Sequence, residues 1–141
     1  MKPSHDNFYI DYDLKIINNP NEMKGLIKQK NMLRNKSRIV SGYCWNWKSK
    51  KDKESNDYDI EIPKFDFRMK WNFSNSTTWA IDEKSVKESG CIHTCQGLEF
   101  DYVGVIISND LRFEDNKLIT DFTKRVSTDK SLNGIKGRYN K

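Results

Sequence analysis

The stretch that most constrains this chain is residues 89–108, Ser-Gly-Cys-Ile-His-Thr-Cys-Gln-Gly-Leu-Glu-Phe-Asp-Tyr-Val-Gly-Val-Ile-Ile-Ser. Its first part, Cys91-Ile92-His93-Thr94, is a short β-prone run that ends in polar residues. Gln96-Gly97-Leu98-Glu99-Phe100-Asp101 is a polar turn holding one glycine and two acids. Tyr102-Val103-Gly104-Val105-Ile106-Ile107 then runs on without polar alternation. A continuous apolar run of this length suits a strand covered on both faces, in the middle of a parallel sheet. The expectation is an α/β fold with a mainly parallel sheet. His93, Thr94, Gln96, Gly97 and Glu99 are then expected where a central strand gives way to a tight connection. In open α/β sheets that edge, outside the carboxyl ends of the strands, is where ligands bind.

The rest of the composition narrows the class. At 141 residues the chain suits one domain with a modest core. Hydrophobic residues make up 35% and charged residues 32%, a balance that predicts a highly solvated surface or part of a larger unit. A formal net charge of +5 admits a polyanionic partner, DNA or RNA, without requiring one. No apolar run approaches the roughly 18 to 20 residues of a membrane span, and the N-terminus lacks the apolar segment of a signal peptide, so a soluble, cytoplasmic chain with no membrane partner is expected. Cys44, Cys91 and Cys95 make no disulfide framework. Cys91 and Cys95 flank His93, but there is no second ligand pair, and alternate residues of an extended strand do not converge tetrahedrally; no metal site is expected.

Along the chain, residues 1–7 are polar and expected to fray. Residues 8–17 alternate enough to predict a strand. Asn19, Pro20 and Glu22 predict a helix start: Asn19 caps, Pro20 suits the first helical position, and Glu22 can return to the cap backbone. Met23, Leu26, Ile27 and Leu33 follow helical spacing and leave Lys24, Lys28 and Arg34 outward, most simply as a solvated face. Residues 37–43 predict the next strand, parallel to its predecessor across the helix. Trp45 and Trp47 follow, spaced to share a side: they can stack bases or roof the core where the sheet ends, and residue type favours the roof. Residues 48–59 read as a mobile charged excursion. Ile60, Ile62, Phe65, Phe67, Met69 and Trp71 then alternate as one or two short strands interrupted at Pro63. Residues 48–87 together read as a β-rich insertion elaborating the sheet edge. Residues 111–120 predict a hairpin around Asp115-Asn116. Residues 121–141 are polar and basic, with Gly134 and Gly137 weakening any helix.

For chemistry, the chain holds no Gly-x-x-x-x-Gly-Lys-(Ser/Thr) phosphate cradle, and without one it should not hydrolyse ATP alone. Only His5 and His93 are histidines, and no nucleophile–base pairing is legible. His93-Thr94-Cys95-Gln96-Gly97-Leu98-Glu99-Phe100-Asp101 resembles motif V of superfamily 1 helicases, His-x-x-(Lys/Gln)-Gly-x-Glu-Phe. With Ile39-Val40-Ser41-Gly42-Tyr43-Cys44-Trp45-Asn46-Trp47, it is more closely similar to the Schlafen group 3-like DNA/RNA helicase domain, a P-loop NTPase family. The likeness covers roughly residues 12–137. It implies an incomplete second RecA-like lobe, residues 8–141, that closes over ATP and Mg²⁺ held mainly by a missing N-terminal P-loop lobe. Position by position, Glu99 then matches the ribose-binding carboxylate, Gln96 the residue near the terminal phosphates, and Gly97 a close approach of the backbone. His93 and Thr94 match positions facing the nucleic-acid strand. From residue type alone, His93 is more readily a hydrogen-bonded structural residue, Glu99 can cap a short helix and Gly97 can serve only the turn. In the family an Asn-Thr-Tyr-Arg-x-Leu-x-Thr-Arg-Gly segment follows, with an arginine on the γ-phosphate, and this sequence has none. The expectation is therefore a fragment of a nucleic-acid-dependent NTPase; the alternative is a standalone nucleic-acid-binding module using its basic residues, Trp45 and Trp47.

Overall fold

In the computed structural model, which describes residues 13–52, 54–74 and 77–135, the sheet is built around β1, Ser37–Ser41. All five of its residues are buried. It pairs in parallel with β4 (Ser89–Cys91) on one side and β5 (Tyr102–Ile106) on the other. Two short hairpins complete the strands, β2–β3 (Ile60–Ile62 and Phe67–Met69) and β6–β7 (Leu111–Glu114 and Lys117–Thr120). The molecule is a mixed α/β fold. No described helix is long and apolar enough to cross a membrane.

α1, Pro20–Leu33, forms as its start signal predicts. The Asn19 side chain accepts from the Asn21 N–H at 2.9 Å, and Pro20 occupies the first turn, where its missing donor costs nothing. Met23 and Ile27 lie over Gly104 of β5, where an added methyl would come within 3.0 Å of the Met23 sulfur. Leu33, expected inward, is 78% exposed. The inward position at that end belongs to Asn31, which accepts from the Ser37 N–H and the Arg38 guanidinium. Lys24, expected outward, is half-buried and donates to the Arg68 carbonyl at 3.3 Å.

Register assigns the faces, because paired residues of parallel strands point the same way. Ile39, Ser41, Ser89, Cys91, Gly104 and Ile106 face α1 and the β2–β3 hairpin. The core forms there, with Ile27, Ile60, Phe67, Met69 and Trp71. Each such side chain contributes about 1.5–3 kcal/mol by leaving water. Trp71 bridges to Ser89, and its neighbours complete the join: the Asn72 N–H donates to the Ser89 carbonyl and the Ser89 N–H to the Lys70 carbonyl. The hairpin segment thereby extends the sheet beyond β4. Residues 48–59, read as a mobile excursion, are anchored at both ends: buried Asp59 accepts from the Ser49 N–H, the Ser49 hydroxyl and the Trp71 N–H, each at 2.8 Å.

The opposite face carries Arg38, Val40, Gly90, Val103 and Val105. Arg38 is wholly buried and donates to the Asn31 and Asn35 side chains and to the carbonyls of Ser37, Ala80 and Asp82. It ties the end of α1, the start of β1 and the segment after Trp79 together. β5 corrects the expectation of a central strand: among the described residues the order is β4-β1-β5, so β5 lies at the edge of the described sheet. Val103, Val105 and Ile107 are 46%, 52% and 63% exposed. An apolar run reports what a strand can bury, whereas burial requires a second layer, and among the described residues α1 covers one face only.

The N-terminal strand expected at residues 8–17 falls partly on residues 8–12, outside the described residues, as do residues 1–7. Residues 13–17 form no strand. Among the described residues, the parallel partners of β1 are β4 and β5.

Candidate functional site

The connection 92–101 joins two strands that run the same way, so it has to return the length of the sheet. It begins at the carboxyl edge, where the Ile92 N–H donates to the Ser41 carbonyl at 3.3 Å. It ends at the amino edge, where the Asp101 and Tyr102 N–H groups donate to the Lys36 carbonyl at 2.8 and 3.4 Å. His93 and Thr94 therefore stand at the carboxyl edge, while Glu99 lies two residues from the amino-edge anchor. The expectation that all five motif residues share the carboxyl edge is corrected on this point; parallel register forces the separation.

Local hydrogen bonds shape the turn. The Thr94 and Cys95 N–H groups both donate to the Cys91 carbonyl, as does the Thr94 hydroxyl at 2.9 Å, and the Leu98 N–H donates to the Cys95 carbonyl. Gly97 has φ +80°, the left-handed region that glycine enters at least cost, and a methyl placed there would meet nothing within 4 Å. Underneath, Trp79 packs edge-on to Phe100 with centroids 6.1 Å apart, and its ring closes over Gly90. The Trp79 indole N–H donates to buried Glu88 at 2.7 Å. This packing fixes the connection from below and leaves the side chains of His93, Thr94, Gln96 and Glu99 exposed. Among the described residues, no partner engages the imidazole of His93, the amide of Gln96 or the carboxylate of Glu99.

Other segments reach the carboxyl edge beside His93 and Thr94. Tyr43 and Trp47 pack on Trp71, with centroids 4.8 and 5.2 Å away, and the Trp71 indole N–H donates to the Ser41 carbonyl. Trp45 also packs against the core. Both tryptophans are half-buried, and the Lys50 ammonium stands 4.8 Å from the Trp47 ring centre. Arg125 pairs with Asp110 at 3.7 Å and Asp129 at 3.2 Å, and Thr128 reaches the Tyr43 hydroxyl at 3.4 Å. The sequence carries no local signal for this Arg125 cluster, because its members meet only once β5 and the tail are folded.

Cys44 and Cys95 are poor nucleophiles here. Burial pushes the Cys44 thiol up to about 12, helped by neighbouring Asp110, and burial likewise raises Cys95. Cys91 sits in the core on the α1 side, whereas Cys95 lies against Gly90 on the other face. Among the described residues no three His, Cys, Asp or Glu side chains form a metal-holding group. For a nucleotide, the free carboxylate of Glu99 fits an acceptor of ribose hydroxyls, and the open space at Gly97 fits a close backbone approach.

Compared with curated proteins and with solved structures, the chain has no match in either. A protein-family model, that of the Schlafen group 3 DNA/RNA helicase domain, matches residues 2–141. Nearly the whole sequence is spanned, and the chain belongs to that family of helicase domains.

Proposed function

We propose that the chain serves as a second, RecA-like lobe of a nucleic-acid-dependent NTPase of the helicase or translocase type, and that the connection 92–101 couples nucleotide to strand. The observation that carries this reading is one rigidly supported connection bearing uncommitted polar groups toward its two ends. Glu99 receives the ribose hydroxyls, Gln96 senses the terminal phosphates and Gly97 admits the nucleotide close to the backbone. His93 and Thr94 donate to strand phosphates. ATP with Mg²⁺ supplies the free energy of phosphoryl transfer and is held mainly by a P-loop lobe, because the 141 residues contain no phosphate cradle. By itself the chain binds without hydrolysing.

The test is Glu99→Ala in a protein that carries both lobes. ATPase activity should fall by about tenfold or more while strand affinity stays within about twofold, the loss of one transition-state or ground-state contact worth about 1.4 kcal/mol or more. Equal ATPase rates for variant and parent would remove Glu99 from the nucleotide site. Trp45 and Trp47 enter this reading as the aromatic roof over the core at the carboxyl edge, where Trp47 packs on Trp71.

A further inference from the structure

Folding gathers six cationic side chains from three separate stretches around one open cleft of about 530 Å³. Lys24 and Lys28 come from successive turns of α1, Arg68 and Lys70 from the end of the β2–β3 hairpin, and Lys84 and Lys87 from the 3-10 turn Glu83–Lys87. Two carboxylates also line it, and both are committed elsewhere. Glu88 is buried and takes the Ser74 N–H, the Ser74 hydroxyl and the Trp79 indole N–H. Asp82 caps the 3-10 turn by accepting the Lys84 N–H at 2.8 Å.

The cations are aimed and under-compensated. Lys24 and Lys70 are held by the carbonyls of Arg68 and Ser55, at 3.3 and 3.0 Å. Lys28, Lys84 and Lys87 have no acidic partner among the described residues; only Arg68 does, the exposed Asp66 at 3.4 Å. Burial, and to a lesser extent the charge of Lys28, pulls the Lys24 ammonium below its ordinary value. Aromatic rings lie between them: Tyr58 is 40% exposed, and the Lys70 ammonium stands 4.1 Å from the Phe73 ring centre.

We propose that this cleft is a phosphate-backbone site for a nucleic-acid strand, separate from the 92–101 connection. Concave cations interleaved with ring faces are what a single strand requires, phosphates on the cations and bases on the rings. A membrane surface would call for apolar side chains protruding beyond the charges, whereas Met69, the aliphatic side chain in this lining, is 1% exposed. None of His93, Thr94, Gln96, Gly97 or Glu99 lines the cleft, so the inference does not rest on the coupling role proposed for them.

The experiment is fluorescence anisotropy of the full chain with a labelled single strand of mixed sequence across a salt series. The cleft variant is Lys28→Glu/Lys84→Glu/Lys87→Glu, three exposed side chains without a bonding partner among the described residues. The control, Lys36→Glu/Lys117→Glu/Lys130→Glu, changes the net charge equally on exposed sites elsewhere. Circular dichroism checks that both fold. The expected result is a loss of about tenfold or more for the cleft variant, with a shallower dependence of log K on log salt by about 2. The control should lose no more than about threefold. Equal losses in both variants would overturn the proposal, since net charge alone would then explain the binding. Loss confined to a His93→Ala/Thr94→Ala variant would overturn it too. So would a parent chain that binds anionic phospholipid vesicles but no strand.

Discussion

A methyl group on Gly90 would stand 2.5 Å from the Trp79 ring, a separation that no packing adjustment short of moving the indole can relieve. Gly90→Ala should destabilise the fold by about 1–3 kcal/mol, the usual cost of overpacking, as read from urea unfolding. Parental stability would show that Trp79 does not close on this strand. Gly97 presents the opposite case, with open space and a positive φ. Gly97→Ala should cost about 1–2 kcal/mol from backbone alone, and Gly97→Asn less, because Asn visits that region more readily. The Cys44 thiol, raised to about 12, should resist alkylation in the folded chain at pH 8 and react on unfolding. The sign follows for stability: an unfolded thiol near 8.5 ionises first, so Cys44 favours the fold fully below that pH and progressively less as pH rises toward 12. Rapid labelling of Cys44 in the native state, read by intact mass, would contradict this. The motif side chains were legible in the sequence because residue type and spacing carry them. Gly90 was not, since its requirement comes from a tryptophan on another segment.

Among the elements, the start of α1 and the β6–β7 hairpin were readable to within a residue, because both announce themselves locally. Asn19 and Pro20 start the helix, and Asp115 and Asn116 take φ of +50° and +58°, the paired left-handed conformation of a two-residue hairpin turn. β5 was misread because its composition speaks of burial while its position at the edge of the described sheet supplies cover on one side. Leu33, the last residue of the helix, was misread because Asn31 takes the inward position there by hydrogen bonding to Ser37 and Arg38. Arg38 was invisible, being a charged residue inside a central strand whose acceptors come from α1, its C-terminal turn and residues 80–82. Arg38→Ala should destabilise by about 3 kcal/mol or more, since several buried acceptors would lose their donor together. A change under about 1 kcal/mol in urea unfolding would show that water replaces the guanidinium.

At the scale of the molecule, six of the 25 Lys and Arg side chains line the cleft beside α1, while the candidate coupling groups lie on the 92–101 connection, outside that lining. The sequence predicted which residues form the candidate site but not where each would stand. That depends on β4 and β5 both running parallel to β1, which sends His93 to one edge and Glu99 toward the other. The separation gives the proposed coupling its form, because a group near one end can report nucleotide while a group near the other reports the strand. Coupling of this kind is a free energy shared between two sites, and it is reciprocal. The most direct measurement is therefore the ratio of strand affinities with and without a non-hydrolysable ATP analogue, in a protein carrying both lobes. Parent protein should show a ratio of about fivefold or more, and Glu99→Ala should bring it close to one while leaving nucleotide-free affinity unchanged. A Glu99→Ala protein that keeps the parental ratio would contradict the account.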